Sequence, residues 1–215
     1  PCKVAEALIA HKHRAEAVPT LDAMIEKFPR SIRPQQLKGL ALARQGDWRA
    51  AQQILGELAA LGEKDTETLG ILARTWRDRF GQSGDLLHLR KARNLYADAF
   101  AAAPSDYYTG INAAANSVLL GEIDRADELA ADVEKLVGTQ ARPNDYWATA
   151  TVAEVMLIRR NYEGAAAMYR AAVDYEPESK ASHESTRAQA RRLMDKLGPT
   201  AQERAAVEGA FLGLA

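Results

Sequence analysis

The chain has 215 residues, with 28 Lys+Arg against 29 Asp+Glu and 47% hydrophobic residues. That length suits one large domain or two small ones, the composition excludes intrinsic disorder, and the balanced charge excludes a strong pull toward nucleic acid or anionic membrane. A single cysteine, Cys2, excludes a disulfide framework and a multi-cysteine zinc site and fits a cytoplasmic setting, while no apolar run reaches the roughly 18 residues of a membrane span.

In chain order, an apolar helical pattern is already under way at Pro1, which predicts that the sequence begins inside a longer array. It carries Ala5 and leads to a second helix through Ala17, Leu21 and Met24, ended by Pro29. The next pattern carries Gly39, turns at Gly46-Asp47-Trp48, and continues through Ala51, Leu55 and Leu58. A helix over about 66–80 with Ala73 follows, then an insertion over 81–88, then a helix through Ala92, Tyr96 and Ala99 up to Pro104. Ala114, the Gly121-Glu122 turn, and Ala126, Ala130 and Val133 make the fourth pair. A second insertion over 138–145 precedes Ala153, the Asn161-Tyr162 turn, and Ala165, Tyr169 and Ala172 before Pro177. Residues 180–197 read as a polar-faced helix, and Pro199 restarts a shorter one ending near Gly213.

These segments share one register. A small residue recurs in the first helix of each pair (Ala5, Gly39, Ala73, Ala114, Ala153) and another in the second (Ala17, Ala51, Ala92, Ala126, Ala165). The period is about 34 residues, and the unit resembles the tetratricopeptide repeat. Two antiparallel helices approach closely only where small residues face each other, and larger neighbours then fill the space between hairpins. The expected fold is all-α: a right-handed superhelix of about five helical hairpins with a C-terminal helical cap. The expected repeats are 1–31, 32–65, 66–106, 107–145 and 146–178, with 179–215 as capping helices.

Two segments carry a narrower resemblance. ILARTWRDRF at 71–80 and the stretch from KARNLYADAFAAAPSDYY into GINAAANSVLLG are similar to the central regulatory repeat region, or TRAFs-binding domain, of the apoptosis signal-regulating kinases. The matching residues are Arg74, Arg77, Asp78 and Phe80, then Gly110, Ile111 and Asn112, and the match covers about 69–121. This resemblance implies a regulatory scaffold beside an effector domain. The kinase Gly-rich loop and His-Arg-Asp motif are absent from the sequence.

In such a stack the first helices line the concave face. The register assigns to it Arg33, Gln36 and Arg44, then Glu67, Arg74, Arg77 and Asp78, then Tyr108, Ile111 and Asn112, and finally Trp147 and Glu154. That surface suits a peptide or partner domain with an acidic group and an apolar anchor. Two alternatives stand beside it: control of an adjoining domain of the same chain, and homo-oligomerisation. The charges of Arg74, Arg77 and Asp78 can equally form a structural ion-pair network. Asn112 lacks the Lys and Arg neighbours of a carboxylate clamp. His11 and His13 lie on different helical faces, so no metal site is expected. No phosphate loop or nucleophile elbow is present, so no catalysis, cofactor or small-molecule substrate is expected, and the arginines near the insertion lack the aromatic interleaving of a nucleic-acid site.

Overall fold

The computed structural model describes residues 2–11 and 13–211, which form twelve α-helices and no strand. The expected helix starts and ends at Pro1 and Gly213 lie outside the described residues. Two compact units divide the chain, 1–103 and 104–215.

Unit 1 holds three helical hairpins: α1 (Cys2–Ala10) with α2 (Arg14–Lys27), α3 (Ile32–Gln45) with α4 (Trp48–Ala60), and α5 (Thr66–Ser83) with α6 (Leu86–Ala102). Unit 2 holds α7 (Tyr107–Leu120) with α8 (Ile123–Val137) and α9 (Tyr146–Ile158) with α10 (Tyr162–Tyr175), followed by α11 (Lys180–Leu197) and α12 (Ala201–Gly209). Inside each unit the first helices touch one another, α1 on α3, α3 on α5, and α7 on α9.

Local chemistry sets the helix starts. Asp47, Asp65, Asp85, Asp106, Asp145 and Asn161 occupy N-cap positions, and each side chain accepts a hydrogen bond from a backbone N–H in the first turn. Thr200 and Glu203 form a reciprocal capping box on α12. Glu122, by contrast, precedes α8 without a side-chain bond to its first turn.

The small-residue columns are the contact seams. Ala5, Ala73, Ala114 and Ala153 are fully buried, as are Ala17, Ala51, Ala92, Ala126 and Ala165. Gly39 is buried in the same column. α2, α6 and α10 each end two residues before Pro29, Pro104 and Pro177.

The insertion expected over 81–88 lengthens the two flanking helices, and the first runs past its expected end at about residue 80. α5 continues to Ser83 and α6 begins at Leu86, so nearly all of the insertion is helical. Gly81 stays inside α5, and the chain reverses at Gly84, whose φ of 67° a side chain would strain. Asp85 then caps α6 by accepting from the Leu87 N–H. Tryptophans fasten these longer helices. Arg79 lies over the rings of both Trp48 and Trp76, Lys91 over Trp76, and the Trp48 indole N–H donates to Gln82 at 3.2 Å. The second insertion, 138–145, is a true loop. Arg142 staples it by donating to the carbonyls of Leu136 and Val137, while its backbone exchanges hydrogen bonds with Thr149.

Candidate interaction surfaces

In unit 1 the first-helix face carries a charge ladder. The Arg33 guanidinium on α3 reaches Glu6 on α1 at 2.7 Å and Glu67 on α5 at 3.1 Å. Partial burial works against that charge, but the hydrogen bonds to the two carboxylates outweigh it and hold Arg33 above its ordinary pKa. All three side chains stay roughly 40% exposed, so solvent screens the ladder and its contribution to stability is small. Arg74 lies 3.9 Å from Asp78 one turn further along α5, and both are nearly half exposed. Arg44 offers its backbone carbonyl to Arg14. Arg77 sits between Arg74 and Asp78 in sequence, at an intermediate level of burial.

The register places Gln36 on the accessible face, and the structure buries it at 6% exposure. Its amide donates to the Asp65 carboxylate at 3.1 Å and to the Thr68 hydroxyl at 2.9 Å. Asp65 also accepts from the Glu67 and Thr68 N–H groups and from the Thr68 hydroxyl, which makes one carboxylate the hub joining α3 to α5. Sequence reasoning takes Asp65 only as a repeat boundary; the Asp-x-x-Thr spacing before an apolar run is the signal that marks it as a cap.

In unit 2 the face is divided. Tyr108 and Trp147 are exposed, at 46% and 54%. Ile111 is buried at 5%, again against its expected accessibility. Asn112 donates back to the Tyr108 carbonyl of its own helix at 2.8 Å. Glu154 accepts a hydrogen bond at 3.0 Å from Gln189, a residue of α11.

That bond reports an unexpected path. α12 packs along α10, whereas α11 rests on α7 and α9. Because it touches the two first helices, α11 lies over the face that the register reserves for a partner. Tyr146 is its main anchor: the phenol donates to Thr186 at 2.8 Å, and the ring meets that of His183 with centroids 5.4 Å apart. Arg187 and Arg191 of α11 pair with Glu208 of α12 at 3.0 and 2.5 Å. The hydrogen bond from Arg191 leads the causes that hold the Glu208 carboxyl below its ordinary range. Burial, then the nearby Glu154 and Tyr146, raises the Tyr169 phenol well above its ordinary pKa.

A cleft of about 360 Å³ opens in unit 1 among α4, α5 and α6, with Trp76 and Leu72 in its wall and Gln52, Lys91 and Asp98 among its polar lining. Gly56 of α4 lines it, and a Cβ there would meet nothing within 4 Å. Among the described residues no helix is long and apolar enough to cross a membrane.

Comparison with known proteins agrees with this architecture. Residues 13–120 match the family model "Tetratricopeptide Repeats-Sensor". No curated protein matches the chain in sequence. A thermophilic TPR protein of Thermus thermophilus superposes with a TM-score of 0.68 at 17% identity, over 90% of this chain and 97% of that one. A tetratricopeptide repeat protein of Parabacteroides merdae gives 0.60 at 16% identity, over 97% and 77%. YrrB, described as a TPR protein with an unusual peptide-binding site, gives 0.52 at 15% identity, over 84% and 87%. At these identities the likeness shows the fold.

Proposed function

Because the chain belongs to the Tetratricopeptide Repeats-Sensor family, we propose that it is the protein-binding, regulatory segment of a larger signalling protein and that it takes a peptide or folded domain on the first-helix face of unit 1. The observation that carries this choice is the state of the two faces. In unit 2 a helix of the chain itself covers α7 and α9, whereas unit 1, among the described residues, holds no additional helix beyond its three hairpins. Arg33, Arg44, Arg74 and Arg77 give that face its cations, which suit a partner with an acidic group.

The regulatory part of the reading draws on the resemblance of about 69–121 to the central repeats of apoptosis signal-regulating kinases and on the family's designation as a sensor. YrrB supplies a precedent of peptide binding on a related fold. Control of an adjoining domain within the same chain is the second reading, and α11 favours it as an example of an in-chain helix seated on first helices.

The test is a paired capture from lysate of the source cells, one bait being wild type and the other carrying Arg74→Glu and Arg77→Glu. Arg74 is exposed and Arg77 half-buried on α5, so unchanged helical circular dichroism of the double variant is the control that its fold is kept. A partner lost only from the double variant supports the face. A partner held equally by both baits returns the two arginines to a structural role and rejects it.

A further inference from the structure

In unit 2 one helix departs from the packing that the hairpins otherwise follow. After a hairpin, the next helix packs along the hairpin's second helix: α3 along α2, α5 along α4, α9 along α8. α10 receives α12 in that place, and α11, which comes first in sequence, is diverted onto α7 and α9. Covering the apolar flank of α10 therefore does not require α11. Its own hold is uneven. The buried positions are His183, Thr186, Ala190, Leu193 and Met194, so only the C-terminal half brings large apolar side chains. His183 is 1% exposed, and neither ring nitrogen has a hydrogen-bond partner in the protein. An orphaned buried polar group weakens the contact that buries it. On the receiving side, Tyr146 offers a ring and a hydroxyl, Glu154 a carboxylate, and Trp147 stays exposed edge-on to Tyr146. The receiving surface is thus more aromatic than the helix it holds.

We propose that the α7/α9 face is a helix-binding surface, that α11 is its resident pseudo-ligand, and that the partner it fits is an amphipathic helix of another protein. That helix carries apolar residues where α11 has His183 and Thr186, and a donor such as Gln or Lys where α11 has Gln189. Binding displaces α11 while α12 stays on α10, so the chain answers occupancy by releasing a helix. This stands apart from the reading of unit 1, since it uses other helices and none of the arginines tested there.

The probe is a fluorescein-labelled peptide of residues 180–197 carrying His183→Leu and Thr186→Val, read by fluorescence polarisation on the full chain. Weakening the resident helix with Leu193→Ala should tighten apparent binding about tenfold, because the competent fraction rises. A second variant guards against misfolding and leaves the α7/α9 surface untouched: Arg191→Cys on α11 with Glu208→Cys on α12 in a Cys2→Ser background, either joined by a short bismaleimide or capped with N-ethylmaleimide. The capped protein should bind the peptide and the joined protein should not, with equal helical circular dichroism. Equal binding by the joined and capped forms places the peptide elsewhere and overturns the proposal. Absence of binding by both the capped form and the Leu193→Ala variant overturns it as well.

Discussion

A Cβ on Gly39 would stand 2.7 Å from Cγ of Leu55, the fully buried leucine of the facing helix. The same small-residue column uses alanine in the other hairpins, so α3 and α4 approach each other more closely than alanine allows. Gly39→Ala should therefore destabilise by about 1–3 kcal/mol, the range for forcing an extra carbon into a packed core. Gly56, one residue beyond Leu55 and facing the cleft, has nothing within 4 Å of the corresponding position. Gly56→Ala should stabilise by about 0.5–1 kcal/mol through helix propensity. Urea denaturation of the two variants checks both signs, and a shift in the same direction would contradict the packing described.

The Asp65 carboxylate serves two backbone N–H groups, a hydroxyl and the buried Gln36 amide. Asp65→Ala removes a helix cap and leaves that amide without its carboxylate, with an expected loss of about 2 kcal/mol. Asp65→Asn should retain part of the capping and lose less. Denaturation midpoints measured side by side distinguish the two, and equal losses would show that capping contributes little.

His183→Phe keeps an aromatic ring against Tyr146 and removes both unpartnered nitrogens. The variant should be more stable by about 1 kcal/mol, and hydrogen exchange of the α11 amides should slow. Faster exchange in α11 would mean that the imidazole contributes to holding the helix.

Two pH limits follow from the same unit. The Glu208 carboxyl is depressed chiefly by its hydrogen bond from Arg191, so its contribution is fully present above the unfolded-state value and is lost as pH falls through the lower folded value. α11 and α12 should loosen below about pH 4, and Glu208→Gln should remove that part of the acid dependence. The Tyr169 phenol is raised by burial, so above about pH 10 the unfolded chain ionises first and stability falls. Tyrosinate absorbance titrated alongside helical circular dichroism should show this last phenol ionising together with unfolding.

Much of the fold is legible in the sequence because it rests on local periodicity. Ala73 and Ala92, or Ala114 and Ala126, mark close helix approaches by size alone, and a one-residue shift would lose the register. The end of α5 within the 81–88 insertion is not legible because Gly81 and Gly84 look alike on paper, while only Gly84 adopts a positive φ and Gly81 continues α5. The site is less legible, because its residues depend on partners far along the chain. Gln36 is drawn inward by Asp65 and Thr68, about one repeat away, and Glu154 is covered through Gln189. The polar composition of 180–197 suggests a solvated cap; the spacing of Ala190, Leu193 and Met194 is the signal of a buried stripe, but it does not name the face that receives it.

The diversion of α11 also orders events in time. Trp48 with Gln82, and Arg33 with Glu67, link positions one period apart, so neighbouring hairpins can zip together as each completes, with little loop entropy to overcome. α11 meets α7 across three intervening helices of its own unit, and that contact closes the longer loop. Contacts of higher order form later, so the α11–α7 contact follows the joining of the α7 and α9 hairpins. A newly made chain therefore passes through an interval with α7 and α9 folded and bare, in which a partner helix arriving during synthesis meets no competitor.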